Sequence, residues 1–97
     1  MPTITRATLR DVPALARDRV PFDCNGTLRG VEGAVSDTGR MPKEWAEIYR
    51  AERDDIFYTV MSYGTPIAWV LANSAVIRPG TKYSVTTSRH QGKLYLM

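Results

Sequence analysis

Ile56-Phe57-Tyr58-Thr59-Val60-Met61-Ser62-Tyr63 is β-branched or aromatic at all but two positions and holds no glycine or proline. Such a run predicts a strand. Gly64-Thr65-Pro66 then reads as a turn, and Ile67 to Ala72 as a second strand with Ile67, Trp69 and Leu71 sharing one face. Asn73-Ser74 leads into Ala75-Val76-Ile77, and Arg78-Pro79-Gly80 has turn composition. Lys82 to Thr87 alternates as a further strand, Arg89-His90-Gln91-Gly92 makes a loop, and Lys93 to Met97 returns. Consecutive hairpins of this kind predict an antiparallel meander of about four strands in the C-terminal half.

Upstream of that run, Pro42 to Arg53 has the strongest helical pattern. Pro42 suits the first helical position, Glu44 and Glu47 lie early, and Arg50 and Arg53 lie late, as the helix dipole favours. Trp45, Ile48 and Tyr49 form one apolar stripe that should cover the sheet. A shorter helix is expected within Thr8–Arg19, its regular part starting at an Asp11 N-cap so that Pro13 falls in the first turn. Asn25-Gly26 signals a tight hairpin, because both central positions of a type I′ turn need positive φ. Residues 30–40 read as loop. The expected fold is α+β: a single domain with a helix, short hairpin and loop over 1–40, a helix over 41–55, and an antiparallel sheet over 56–97. Two short helices accompany the sheet, the second packed on it.

The opening is similar to the first strand and helix of many N-acetyltransferases. It lacks the Gln/Arg-x-x-Gly-x-Gly/Ala loop that would hold an acyl-carrier pyrophosphate, which excludes that activity. One cysteine, Cys24, excludes an intramolecular disulfide and a Cys-based zinc site, and one histidine leaves no cluster for a transition metal. No metal or cofactor is expected. With no apolar run near the ~20 residues of a membrane span and no apolar signal region, the expected setting is a reducing cytoplasm, with no membrane partner. A domain of 97 residues has a modest stability margin, and a homodimer is compatible with that.

Net charge is +3, unevenly placed. Residues 56–97 carry Arg78, Lys82, Arg89 and Lys93 and no acid, together with six of the nine aromatic residues. That half suits an anionic partner. If the predicted strand runs on, Ser84, Thr86, Ser88 and His90 share one face beside Arg89, a row able to hold a phosphate through hydroxyls and a guanidinium. Metal-independent RNA cleavage would use His90 as general acid and Arg89 to stabilise charge, with Glu47, Glu52 or Asp55 reaching over as base. A loop histidine and alternating hydroxyls equally serve as ordinary sheet structure. No paired carboxylates, Ser-His-Asp order or metal spacing accompany them.

Two stretches, Tyr63-Gly64-Thr65-Pro66-Ile67-Ala68-Trp69 and Tyr83-Ser84-Val85-Thr86-Thr87-Ser88-Arg89-His90-Gln91, resemble the signature of a small domain of unknown function from actinobacteria and their phages. That pattern is Tyr-x-Thr-Pro-Ile-Ala-Trp, then after a spacer Tyr-Ser-x-Thr-Thr-Ser-x-His-Gln; the similarity extends towards Gly39-Arg40-Met41-Pro42 and Trp45. The resemblance implies a phage or mobile-element accessory protein in a bacterial host and assigns no catalytic residue. The expected function is therefore non-enzymatic binding of a host macromolecule, foremost a protein. Tyr63, Trp69, Tyr83, Thr86, Ser88, Arg89, His90 and Gln91 are the candidate contacts, with the aromatics and Arg89 as anchors. The competing expectation is a nucleic-acid binder or ribonuclease built on Arg78, Lys82, Arg89, His90 and Lys93.

Overall fold

The computed structural model describes residues 4–80 and 85–97, and for Val85 the backbone alone. Its described elements follow the chain as β1 (Thr5–Arg6), α1 (Val12–Arg17), β2 (Phe22–Cys24), β3 (Leu28–Glu32), α2 (Lys43–Ala51), β4 (Ile56–Ser62), β5 (Thr65–Leu71), β6 (Val76–Ile77) and α3 (Val85–Gly92), with a 3-10 turn at Arg53–Asp55 before β4. The class is α+β. The six strands form one sheet in chain order, β1-β2-β3-β4-β5-β6. It is mixed, since β1 runs parallel to β2 and every other pairing is antiparallel.

The sheet extends beyond the expected four-strand meander because the Asn25-Gly26 hairpin contributes to it. Asn25 and Gly26 both have positive φ, 53° and 76°, and β3 pairs with β4 from Leu28↔Ser62 to Glu32↔Tyr58. β4 thus has neighbours on both sides. The turn between β4 and β5 falls at Tyr63-Gly64, with φ of 49° and 82°, one residue before the expected place. Thr65 and Pro66 belong to β5.

Both faces of the sheet are covered. Val12 and Ala16 of α1 pack with Phe22, Leu28, Tyr58, Val60, Ala68, Val70 and Leu94. Ala46 and Tyr49 of α2 pack with Met41, Ile56 and Trp69. Ala68 and Val70 enter the first cluster while Trp69 and Leu71 enter the second, which is the period-two alternation of a strand with two dry faces. Ile67 joins the α1 side, not Trp69's, because the β4–β5 register slips between Val60 and Met61. On α2 the inward stripe is Trp45, Ala46 and Tyr49; Ile48 is exposed.

Tyr49 ties the second layer to the sheet. Thr59 Oγ1 donates to Gly33 O at 2.9 Å, which uses its one proton. The Tyr49 hydroxyl must therefore donate to Thr59 Oγ1, also at 2.9 Å, while accepting from Val35 N–H at 2.8 Å. Its ring meets Trp69 edge-on with centroids 4.8 Å apart, a favoured aromatic geometry. In the first layer, Tyr58 donates to Val20 O at 2.8 Å, and burial pushes its phenol pKa up.

Tyr58 and Phe22 reach this position across Gly30. A Cβ at Gly30 would overlap the Tyr58 hydroxyl and the Phe22 ring. Gly30→Ala is therefore expected to cost about 1–3 kcal/mol by overpacking, seen as a lower urea midpoint with an unchanged slope. An unchanged midpoint would show that the sheet yields there without strain.

Candidate functional site

The last element departs most from expectation. Val85–Gly92 is a helix, where the sequence predicts the end of a strand and a loop. Lys93–Met97 forms turns in place of a returning strand, with Lys93 N donating to His90 O and Leu94 N to Gln91 O. Intrinsic preference favours extended structure for a Ser/Thr/Val-rich run, but that preference is weak beside tertiary contact. Here the contact is specific. Thr87 and His90, three apart on one side of α3, both hydrogen-bond the hydroxyl of Ser62 at the end of β4, at 3.1 and 2.7 Å.

Ser62, Thr87 and His90 are all buried, His90 only 3% exposed. The Tyr63 ring stacks on the imidazole, centroids 5.7 Å apart and planes 26° from parallel. Tyr63 is 58% exposed, so it roofs the histidine. Its backbone is held in the left-handed region while its N–H donates to Thr27 O at 2.9 Å. Two residues further on, Thr65 Oγ1 accepts from Arg40 N at 2.9 Å. The two signature-like stretches thus meet, at the turn end of the β4–β5 hairpin.

The expected contact residues separate accordingly. Trp69 is fully buried between Trp45 and Tyr49, so it is a core residue and no surface anchor; the second helical layer covers the face that would have exposed it. His90 is buried where an open loop was expected. Thr86, Ser88 and Arg89 are exposed, and Gln91 is half-buried. Of the expected row, Thr86, Ser88 and His90 do not share one face, because helical rotation turns Thr86 and Ser88 outward and His90 inward. Tyr83, Ser84 and Lys82 lie outside the described residues.

The catalytic arrangement finds no support in this geometry. His90 meets a serine hydroxyl and a tyrosine ring, and α2 with Glu47 packs in the Trp69 cluster, apart from the cluster that holds Leu94. Glu52 Oε1 is buried without a hydrogen-bond partner and Asp55 lies exposed before β4. Among the described residues no group of three or more His, Cys, Asp or Glu is placed to hold a metal ion, and no helix is long and apolar enough to cross a membrane. Arg78 is committed elsewhere: its Nη1 donates to Leu94 O at 3.0 Å, fastening the chain after α3.

Where cations do gather is at the end of α3. Arg89, Gly92 and Lys93 line an open cleft of about 440 Å³ with Leu9 and Tyr95. Leu9 stands 41% and Tyr95 67% exposed. Sequence reading missed this place because Leu9 is far away in the chain and residues 93–97 read as strand.

Burial lowers the His90 pKa from its ordinary 6.5. The folded state holds the neutral ring, so on acidification the unfolded chain takes up the proton first. Stability contributed by His90 is complete above pH 6.5 and is lost as pH falls through that value towards the lower folded pKa. Since the chain has one histidine, urea midpoints measured across this window should fall with pH in the parent and lose that slope in His90→Gln. Ser62→Ala, which leaves His90 Nδ1 without its hydroxyl partner, should cost about 1–3 kcal/mol at neutral pH.

Comparison with curated proteins and with solved structures finds no match. A family model matches residues 20–96, which takes in β2 to α3 and both halves of the Ser62–His90 contact, and leaves β1 and α1 outside. The chain belongs to DUF8033, a family of unknown function.

Proposed function

We propose that this protein is a non-enzymatic binding module that engages a host macromolecule, foremost a protein, through the outward side of α3. One observation carries the reading. The imidazole, the residue best suited to acid–base chemistry, is spent on a buried contact with Ser62, while Thr86, Ser88 and Arg89 around it face solvent. A side chain that is hydrogen-bonded and stacked under cover holds structure together; exposed hydroxyls and a guanidinium on a helix make contacts. Tyr63, exposed beside His90, extends that surface. The resemblance of the Tyr63–Trp69 and Tyr83–Gln91 stretches to an actinobacterial and phage domain adds the biological setting, an accessory protein of a phage or mobile element acting in its host's cytoplasm.

The test is capture from an actinobacterial host lysate on the tagged chain, with and without nuclease. One protein is expected to remain after nuclease treatment and to be lost with Arg89→Ala, whose melting temperature should match the parent. Trp69→Ala is unsuitable as a control, since emptying a buried tryptophan site costs about 3–5 kcal/mol and tests folding. Recovery of nuclease-sensitive material alone would replace this reading with nucleic-acid binding.

A further inference from the structure

The cleft at the end of α3 pairs two features seldom left together on a surface. Arg89 on α3 and Lys93 in the turn that follows it both line the cleft. Neither has an ion-pair partner among the described residues, where Arg17–Asp18 is the pair found. No acidic residue occurs anywhere in 56–97 to neutralise them. The same cleft is lined by two large apolar groups, Leu9 from the turn before α1 and the ring of Tyr95. The acid on that turn, Asp11, is not among the lining residues, and its carboxylate accepts two hydrogen bonds from Thr8. Gly92 lines the cleft without a side chain, and a Cβ there would meet nothing within 4 Å.

Building on the binding-module reading, we infer that this cleft receives a short acidic protein segment in which carboxylates flank one large apolar side chain. The carboxylates pair with Arg89 and Lys93, and the apolar group lies between Leu9 and Tyr95. Charge complementarity selects an anion, and the apolar walls select a side chain over a sugar–phosphate track. A nucleic-acid path would need a continuing row of cations, one for each neutralised phosphate. Of the other cations in the acid-free half, Arg78 is held by Leu94 O, and the described lining of the cleft ends at two.

The test uses fluorescence anisotropy with short labelled synthetic peptides and the intact chain. The first probe carries glutamates on both sides of a leucine; the second replaces the glutamates by glutamine, the third the leucine by serine. A single-stranded oligothymidylate is the fourth. The first peptide should bind about tenfold more tightly than the second or third, and its binding should weaken as salt rises. Gly92→Leu, which fills the cleft without touching the fold, should abolish binding and leave the melting temperature unchanged; Lys93→Glu should do the same. Equal binding of the glutamine peptide, indifference to Gly92→Leu, tighter binding of oligothymidylate, or no binding of the first peptide at millimolar concentration would each overturn the inference. If the peptides fail while lysate capture still depends on Arg89, the acidic-segment assignment alone falls. If both fail, the binding-module reading falls with it.

Discussion

β5 is apolar on both of its faces, and the rest of the architecture answers that constraint. A strand whose alternate residues are Ala68 and Val70 on one side and Trp69 and Leu71 on the other cannot leave either side wet. One helical layer would bury half of it. The chain therefore supplies α1 and the segment ending in Leu94 to one face, and α2 with Met41 to the other. The Tyr49–Thr59–Gly33 relay gives the second layer a fixed seat, since each hydroxyl in it has one proton and one place to send it.

Around this frame, the Ser62 hydroxyl does for α3 what apolar packing does for α1 and α2. Among the described side chains of α3, the fully inward ones are a threonine and a histidine, which are poor sources of hydrophobic stabilisation. They are buried by being bonded: a single serine oxygen serves both, and Tyr63 covers the imidazole. A buried polar cluster of this kind is directional, so it sets where the helix sits as well as whether it stays. The outward face, and the cleft formed by Arg89, Lys93, Leu9 and Tyr95, inherit their positions from it.

Much of the frame could be read from residues alone. Asn25-Gly26 demanded positive φ twice and obtained it; the charge order and aromatic stripe of 43–51 marked a sheet-packed helix; the β4 run was too rich in branched and aromatic residues to be anything but a strand. The failures have a common cause. Whether Trp69 is a surface or a core residue depends on a second layer that no local pattern reports. Whether Val85–Gly92 is strand or helix depends on Ser62, more than twenty residues earlier, meeting Thr87 and His90 at helical spacing. The Tyr63-Gly64 turn was masked because tyrosine rarely takes positive φ. For the site, the relevant cations were visible in the sequence, but their apolar neighbour Leu9 was not.

The strand order carries a kinetic meaning. Because β1 to β6 lie side by side in the order in which they occur in the chain, every strand finds its partner in the next strand along, even where, as between Leu28 and Ser62, more than thirty residues separate the partners. A sequential strand order limits the loop entropy lost at each pairing to the closure of one connection. A chain emerging from the ribosome could lay down this sheet strand by strand, leaving α3 to dock last onto a Ser62 already in place. The segment that carries the proposed contacts would then be the final piece to close, and the first to open.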